Sequence, residues 1–220
     1  MDLPPQHKPH LPSPVSQKTK GWGAPHTLCP PTPLCWHAQG ACCVQLTGKW
    51  FSIGLASNSS WFKEKKHLMK MCTTVISETA DGSLEVTTTY PKGDQCEKRN
   101  SLYTRTEQPG RFSYTSPRWG SKHDIRVVET NYEEYALMAT QISKSTGPST
   151  MVLLYSRTEE LGPERLERFT QFSREQGLTD EEILILPHTG ECSQGARLGV
   201  HGGGGSLGEV PCGAEREETL

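Results

Sequence analysis

The sequence predicts an all-β domain: eight antiparallel strands wound into an up-and-down barrel, with one C-terminal α-helix packed on its wall. Apolar and polar residues alternate with period two along one segment after another. Short, turn-rich links join these segments and leave no room for crossover helices, and only one stretch switches to helical spacing.

The first strand is Trp50–Ala56. Met71–Thr79 and Leu84–Tyr90 form a hairpin about Asp81-Gly82, because both residues tolerate positive φ and β-branched residues flank them. In the second arm Leu84, Val86, Thr88 and Tyr90 share one face, with Glu85, Thr87 and Thr89 on the other. The pattern continues through Cys96–Thr106, a Gln108-Pro109-Gly110 turn, Arg111–Thr115, His123–Thr130, Tyr135–Gln141, a loop over Lys144–Ser149, and Met151–Thr158. The helix runs from Pro163 to Gln176. Pro163 sits in its first turn, Leu166, Phe169 and Phe172 form an apolar stripe, and Gly177 ends it. Ile183–Leu186 reads as a short return strand stopped by Pro187. An eight-stranded barrel encloses space for about one small ligand and has no open edge.

Of the 16 prolines in the 220 residues, 9 precede Thr47, in a segment without apolar period. Residues 1–46 therefore read as a disordered Pro/Cys-rich extension, and 193–220, with its Gly202–Gly205 run and closing acidic residues, as a disordered tail. The folded domain is 47–192. With Lys+Arg 23 against Asp+Glu 25 the net charge is −2, which excludes the broad basic field of a nucleic-acid or anionic-membrane binder. No stretch approaches the roughly 20 apolar residues of a membrane span. The N-terminal residues carry no apolar core of a secretory signal.

Cysteines divide by region: Cys29, Cys35, Cys42 and Cys43 in the extension, Cys72, Cys96 and Cys192 in the domain, Cys212 in the tail. The extension's spacing matches no tight zinc pattern, with or without His26 and His37, so no metal site is expected. Three cysteines in the domain leave one thiol free.

Gly48-Lys49-Trp50 heading the first strand, Thr130-Asn131-Tyr132 before a Tyr-Ala-Leu strand, and Arg157 closing the eighth strand together resemble the three signature regions of lipocalins. Trp50 and Arg157 are read as structural, the guanidinium stacking on the indole that closes the floor, a contact worth roughly 0.5–2 kcal/mol. Within that family the Trp50–Trp61 run, Met71-Cys72, Gln95-Cys96-Glu97, Ser116-Pro117-Arg118-Trp119-Gly120-Ser121 and Leu154–Thr158 resemble the lipocalin-type prostaglandin D synthases, which isomerise prostaglandin H2 and also carry retinoids and other lipophilic ligands.

The residues alone place Cys72 on a strand face with Thr74 and Ile76, where a thiol commonly serves as small apolar filler. Lys65, Lys66 and Lys70 nearby in the chain favour the thiolate, the reactive form. The resemblance implies that Cys72 is a nucleophile supported by the hydroxyls of Ser52, Thr74 and Thr88. It implies ligand contacts at Trp61, Lys66, Tyr90, Leu102, Phe112, Trp119 and Tyr155, a Cys96–Cys192 disulfide, glycosylation at Asn58 and secretion as a monomer. The disulfide would close a loop of about 95 residues and contribute about 4–5 kcal/mol on the chain-entropy estimate. The expected reaction consumes no metal or redox cofactor and needs only a thiol reductant to keep Cys72 reduced. Arg118 stands where those enzymes often have histidine, and Glu85 where they often have a second sequon.

Overall fold

A computed structural model describes residues 45–92, 95–117 and 120–188, so Trp119, Cys192, residues 1–44 and the tail lie outside it. The described strands are β1 (Gly48–Ser57), β2 (Thr73–Glu78), β3 (Leu84–Lys92), β4 (Gln95–Arg105), β5 (Arg111–Thr115), β6 (Lys122–Thr130), β7 (Tyr135–Lys144), β8 (Gly147–Ser156) and β9 (Ile183–Ile185). Each of β2 to β7 pairs with the next, β8 returns to β1, and β1 closes on β2, giving an eight-stranded antiparallel barrel. Beyond its pairing with β2, β1 uses Gly54–Ala56 to bond β9, so the return strand covers the edge that β2 leaves. Two helices accompany the barrel, α1 (Ser60–Lys65) after β1 and α2 (Pro163–Glu175) after β8.

The floor is built on one stacked pair. Trp50 is wholly buried, its indole N–H donates to the Leu46 carbonyl at 2.8 Å, and the Arg157 guanidinium lies 3.6 Å over its ring. That guanidinium also donates to the carbonyls of Tyr132 (3.0 Å), Lys49 (2.9 Å), Thr47 (2.9 Å) and Gln45 (3.2 Å). The Thr130-Asn131-Tyr132 signature shapes the turn that presents one of these acceptors. Tyr132 takes a positive φ of 64°, its N–H donates to the Thr130 hydroxyl, and Asn131 Oδ1 accepts from the N–H groups of Glu134 and Tyr135. Leu46, read from the sequence as part of the extension, is only 3% exposed and belongs to this floor.

The outer wall carries the second apolar layer. Phe169 and Phe172 of α2 are buried against it, and Gly54 allows the close approach, since a Cβ there would lie 2.7 Å from the Phe169 ring. The helix is fixed at its polar margin too. Arg165 sits 4.3 Å over the Tyr135 ring, and Arg168 pairs with Glu129 at 3.1 Å, while the Tyr135 hydroxyl donates to the same carboxylate. Burial pushes the Glu129 carboxyl up, but these two donors outweigh it and hold it below its ordinary 4.5.

Two elements differ from the sequence expectation. The Lys144–Ser149 stretch is a tight hairpin rather than a loop: Lys144 pairs with Gly147 across Ser145-Thr146, extending both strands. Helix α1 has only six residues, too few for a helical period, and is started by Ser59, whose hydroxyl accepts from the Phe62 N–H at 3.3 Å.

Gly48 has φ +107°, and a Cβ there would lie 2.9 Å from Arg157 Nη1. Gly48→Ala and Arg157→Ala should each cost about 1–3 kcal/mol in denaturant unfolding, and the double mutant less than their sum, because both act on one contact. A carboxyl held low contributes stability that is present above its unfolded value and lost as pH falls through its folded one. Stability of the native chain should therefore drop below pH 4.5, with a shallower fall in Glu129→Gln, as followed by circular dichroism from pH 7 to 3.

Candidate functional site

Residues opposite one another across a ladder share a face, so the register sorts inside from outside. Trp50 opposes Thr74, Thr74 opposes Thr88, and Thr88 opposes Arg99, a single inward row that crosses four strands. A neighbouring row joins Ile76, Val86 and Ser101. On β4 exposure alternates without a break: Cys96, Lys98, Asn100, Leu102 and Thr104 are exposed, and Glu97, Arg99, Ser101, Tyr103 and Arg105 intermediate. Solvent thus reaches the inner face of β4. The opposite wall is apolar, formed by Ile125, Val127, Met138, Met151 and Leu153, and Phe112 lies fully buried lower down. The interior is a calyx with an apolar floor, one apolar wall and one polar wall.

Three of the four residues expected at the reacting centre are in contact or adjacent. Thr74 lies within 3.3 Å of the Thr88 hydroxyl, while the Ser52 N–H donates to the Cys72 carbonyl at 2.9 Å. Ser52 opposes Tyr155 in the β1–β8 ladder, which brings the fourth residue to the same patch. Burial pushes the Tyr155 phenol up to about 12, so it stays a neutral hydrogen-bonding group. Cys72 is 2% exposed, and its sulfur lies 3.7 Å from the Lys70 carbonyl oxygen.

Cys72 is nevertheless not the free thiol that the odd cysteine count led us to expect: it and Cys96 are both disulfide-bonded. They do not bond each other. Cys72 precedes β2 and Cys96 lies in β4, with β3 between them, which sets them roughly 10 Å apart or more, beyond the ~7 Å reach of a disulfide. Their partners lie outside the described residues, as does Cys192, the expected partner of Cys96.

The expected ligand contacts divide. Tyr90 faces inward and donates to Glu97 at 2.9 Å, and Phe112 and Tyr155 line the lower calyx. Trp61 is buried in α1, and its indole N–H has no acceptor among the described residues. Leu102 is corrected: it is 50% exposed on the outer face, because its ladder partner Glu85 points outward. The Lys66 ammonium donates to the Glu181 carbonyl, and Lys63 pairs with Glu182 at 2.9 Å, tying α1 to the segment after α2. Asn58 is exposed beside α1, with its side-chain oxygen accepting from the Thr150 N–H. Trp119 lies outside the described residues.

Sequence reading missed Tyr103, Tyr114, His123 and Arg99. Tyr103 and Tyr114 have ring centroids 5.9 Å apart, and Tyr114 and His123 5.2 Å, forming an aromatic band on the inner face. Their faces follow from the cross-strand register, with Val86 opposite Ser101 and Phe112 opposite Ile125, which no local pattern of side chains records. Among the described residues no cluster of three or more His, Cys, Asp or Glu could hold a metal.

An antiparallel calyx with an indole floor clamped by an arginine defines a small-ligand-binding barrel. The chain belongs to the lipocalin family: residues 47–190 match the family model described as lipocalin / cytosolic fatty-acid binding protein. It is 57% identical over 148 residues to a lipocalin of Rhinella marina, covering 67% of this chain and 81% of that protein. It is 51% identical over 148 residues to the prostaglandin-H2 D-isomerase of Canis lupus familiaris, covering 67% and 78% respectively. Among solved structures it is similar to the siderocalin Ex-FABP, described as functioning through dual ligand specificities, with TM-score 0.57, 32% identity, and coverage of 69% of this chain and 97% of that one.

Alkylation mapped by mass spectrometry checks the cysteine states. Cys72 and Cys96 should remain unmodified in the unreduced, denatured chain and should both be labelled after reduction.

Proposed function

We propose that this chain is a prostaglandin H2 D-isomerase whose reducible nucleophile is Cys72, and that the same calyx carries small lipophilic ligands such as retinoids. The observation that carries the reading is the set of Cys72, Ser52, Thr74 and Thr88, joined by the Ser52 N–H on the Cys72 carbonyl and by the Thr74–Thr88 hydroxyl contact, in a barrel about half identical to prostaglandin-H2 D-isomerases. Reduction of the Cys72 disulfide by an external thiol comes first. The thiolate then attacks one endoperoxide oxygen, forming an S–O bond as the O–O bond breaks, and the released alkoxide takes up a proton. Loss of the hydrogen from the carbon bearing the sulfur-bound oxygen, as a proton, forms the ketone and expels the thiolate. Atoms and electrons balance within the substrate, so the isomerisation needs no metal or redox cofactor. The nearby hydroxyls would donate to the thiolate and lower its pKa.

The reading extends to a secreted monomer glycosylated at Asn58, with Cys96 bonded to Cys192. It needs no nucleic-acid partner. A second reading, a carrier without turnover, is favoured by the disulfide on Cys72 and needs only the calyx.

The test is conversion of prostaglandin H2 to prostaglandin D2 by the full chain, reduced and unreduced, beside Cys72→Ala and a protein-free control. The isomerase predicts product from the reduced chain alone, falling at least a hundredfold in Cys72→Ala. Quenching of tryptophan fluorescence by retinol without product under any condition leaves the carrier.

A further inference from the structure

We infer that the Cys42-Cys43 pair of the N-terminal extension supplies the sulfur bonded to Cys72, so that the chain carries its own thiol-releasable blocking group on that cysteine. Cys72 and Cys96 are both in disulfides, and not with each other. They therefore need two further cysteines, and of the 8 in the chain only Cys192 remains in the domain. At least one of the two bonds leaves the domain for Cys29, Cys35, Cys42, Cys43 or Cys212. The inference rests on the Cys96–Cys192 pairing of the reading above, which leaves Cys72 to a terminal segment.

Reach and chain length select the pair. The extension meets the barrel at Leu46, which is 3% exposed and accepts from the Trp50 indole N–H, and Arg157 holds the carbonyls of Gln45 and Thr47 on either side. Trp50 is two residues from Ser52, whose N–H donates to the Cys72 carbonyl at 2.9 Å. Two strand residues and one cross-strand step span about 8 Å. Cys43 and Cys42 lie three and four residues before Leu46, a reach of roughly 10–14 Å, to which a disulfide adds about 6 Å between Cα atoms. The tail starts equally near, with the Pro187 carbonyl on the Met71 N–H at 3.1 Å, but Cys212 lies 24 residues beyond His188. Loop closure disfavours the longer tether, so the local concentration of the Cys42 and Cys43 sulfurs at Cys72 is on the order of tenfold higher. Cys35 and Cys29, 11 and 17 residues before Leu46, fall between.

Release is thiol–disulfide exchange. An external thiolate attacks the extension sulfur, the Cys72 thiolate leaves, and a second thiol clears the mixed disulfide, so two external thiols are oxidised to one disulfide as the protein bond is reduced. Until then Cys72 has no thiolate to offer.

Trypsin separates the candidates: Cys72 falls in 71–92, the four extension cysteines in 21–49, Cys96 in 93–98, Cys192 in 175–197 and Cys212 in 198–216. Mass spectrometry of the unreduced full chain, alkylated and digested, should find 71–92 joined to 21–49, and the same link should persist in Cys29→Ser/Cys35→Ser. With all four extension cysteines replaced by serine, Cys72 should be alkylated without reduction, its labelling rising roughly tenfold or more, and prostaglandin H2 should be converted without added thiol. A 71–92 peptide joined to 175–197 or 198–216, an unbonded Cys72 in the wild type, loss of the link in Cys29→Ser/Cys35→Ser, or a Cys72 still blocked in the fourfold variant would each overturn the proposal. A fourfold variant with an open Cys72 and no product would instead fail the isomerase reading and leave the tether standing.

Discussion

The stack of Arg157 on Trp50 is the contact on which the rest of the barrel depends. It gathers carbonyls from the segment entering β1, from β1 itself and from the turn between β6 and β7 onto one guanidinium. Those segments are far apart in the chain, and closing a barrel requires them to meet. Desolvation lowers the Arg157 pKa, yet four carbonyl acceptors and an indole face compensate the charge in place of water. The three lipocalin signatures are thus one physical device: Gly48 leaves room for the guanidinium, Tyr132 offers a carbonyl from an αL turn, and Arg157 joins them.

With the floor sealed, apolar burial is distributed between two places. One lies low in the barrel around Trp50 and Phe112, the other outside it, where α2 lays Phe169 and Phe172 on the wall. This division leaves the inner face of β4, whose residues are only partly buried, without a packing role. It can then carry hydroxyls, tyrosines and an arginine whose burial would be costly in a filled core. The stability of a lipocalin is therefore held away from its ligand, and polar substitutions inside the calyx can change recognition with little effect on folding.

The Cys72 disulfide joins these two levels. Cys72 is tied through its carbonyl to Ser52 and lies two residues from Thr74, but in a disulfide its sulfur has no thiolate to offer. Chemistry at this position depends on the thiol poise of the surroundings, whereas ligand capture by the remaining walls does not. The two proposed roles of the calyx are separable for that reason.

Much of this was legible in the sequence because it is encoded locally. Period-two alternation, the Asp81-Gly82 turn and the Phe169 stripe each report on a few neighbouring residues, and the strand order followed from short links. Trp50, Arg157, Thr74, Thr88 and Tyr155 were legible through motif spacing. Tertiary structure alone decided the faces of β4, where Leu102 points outward and Arg99 inward, because a cavity wall lacks the apolar contrast that marks a core. It alone also committed Lys66 to the Glu181 carbonyl and Cys72 to a disulfide. Such pairings join residues distant in the chain, and no local pattern of side chains records them.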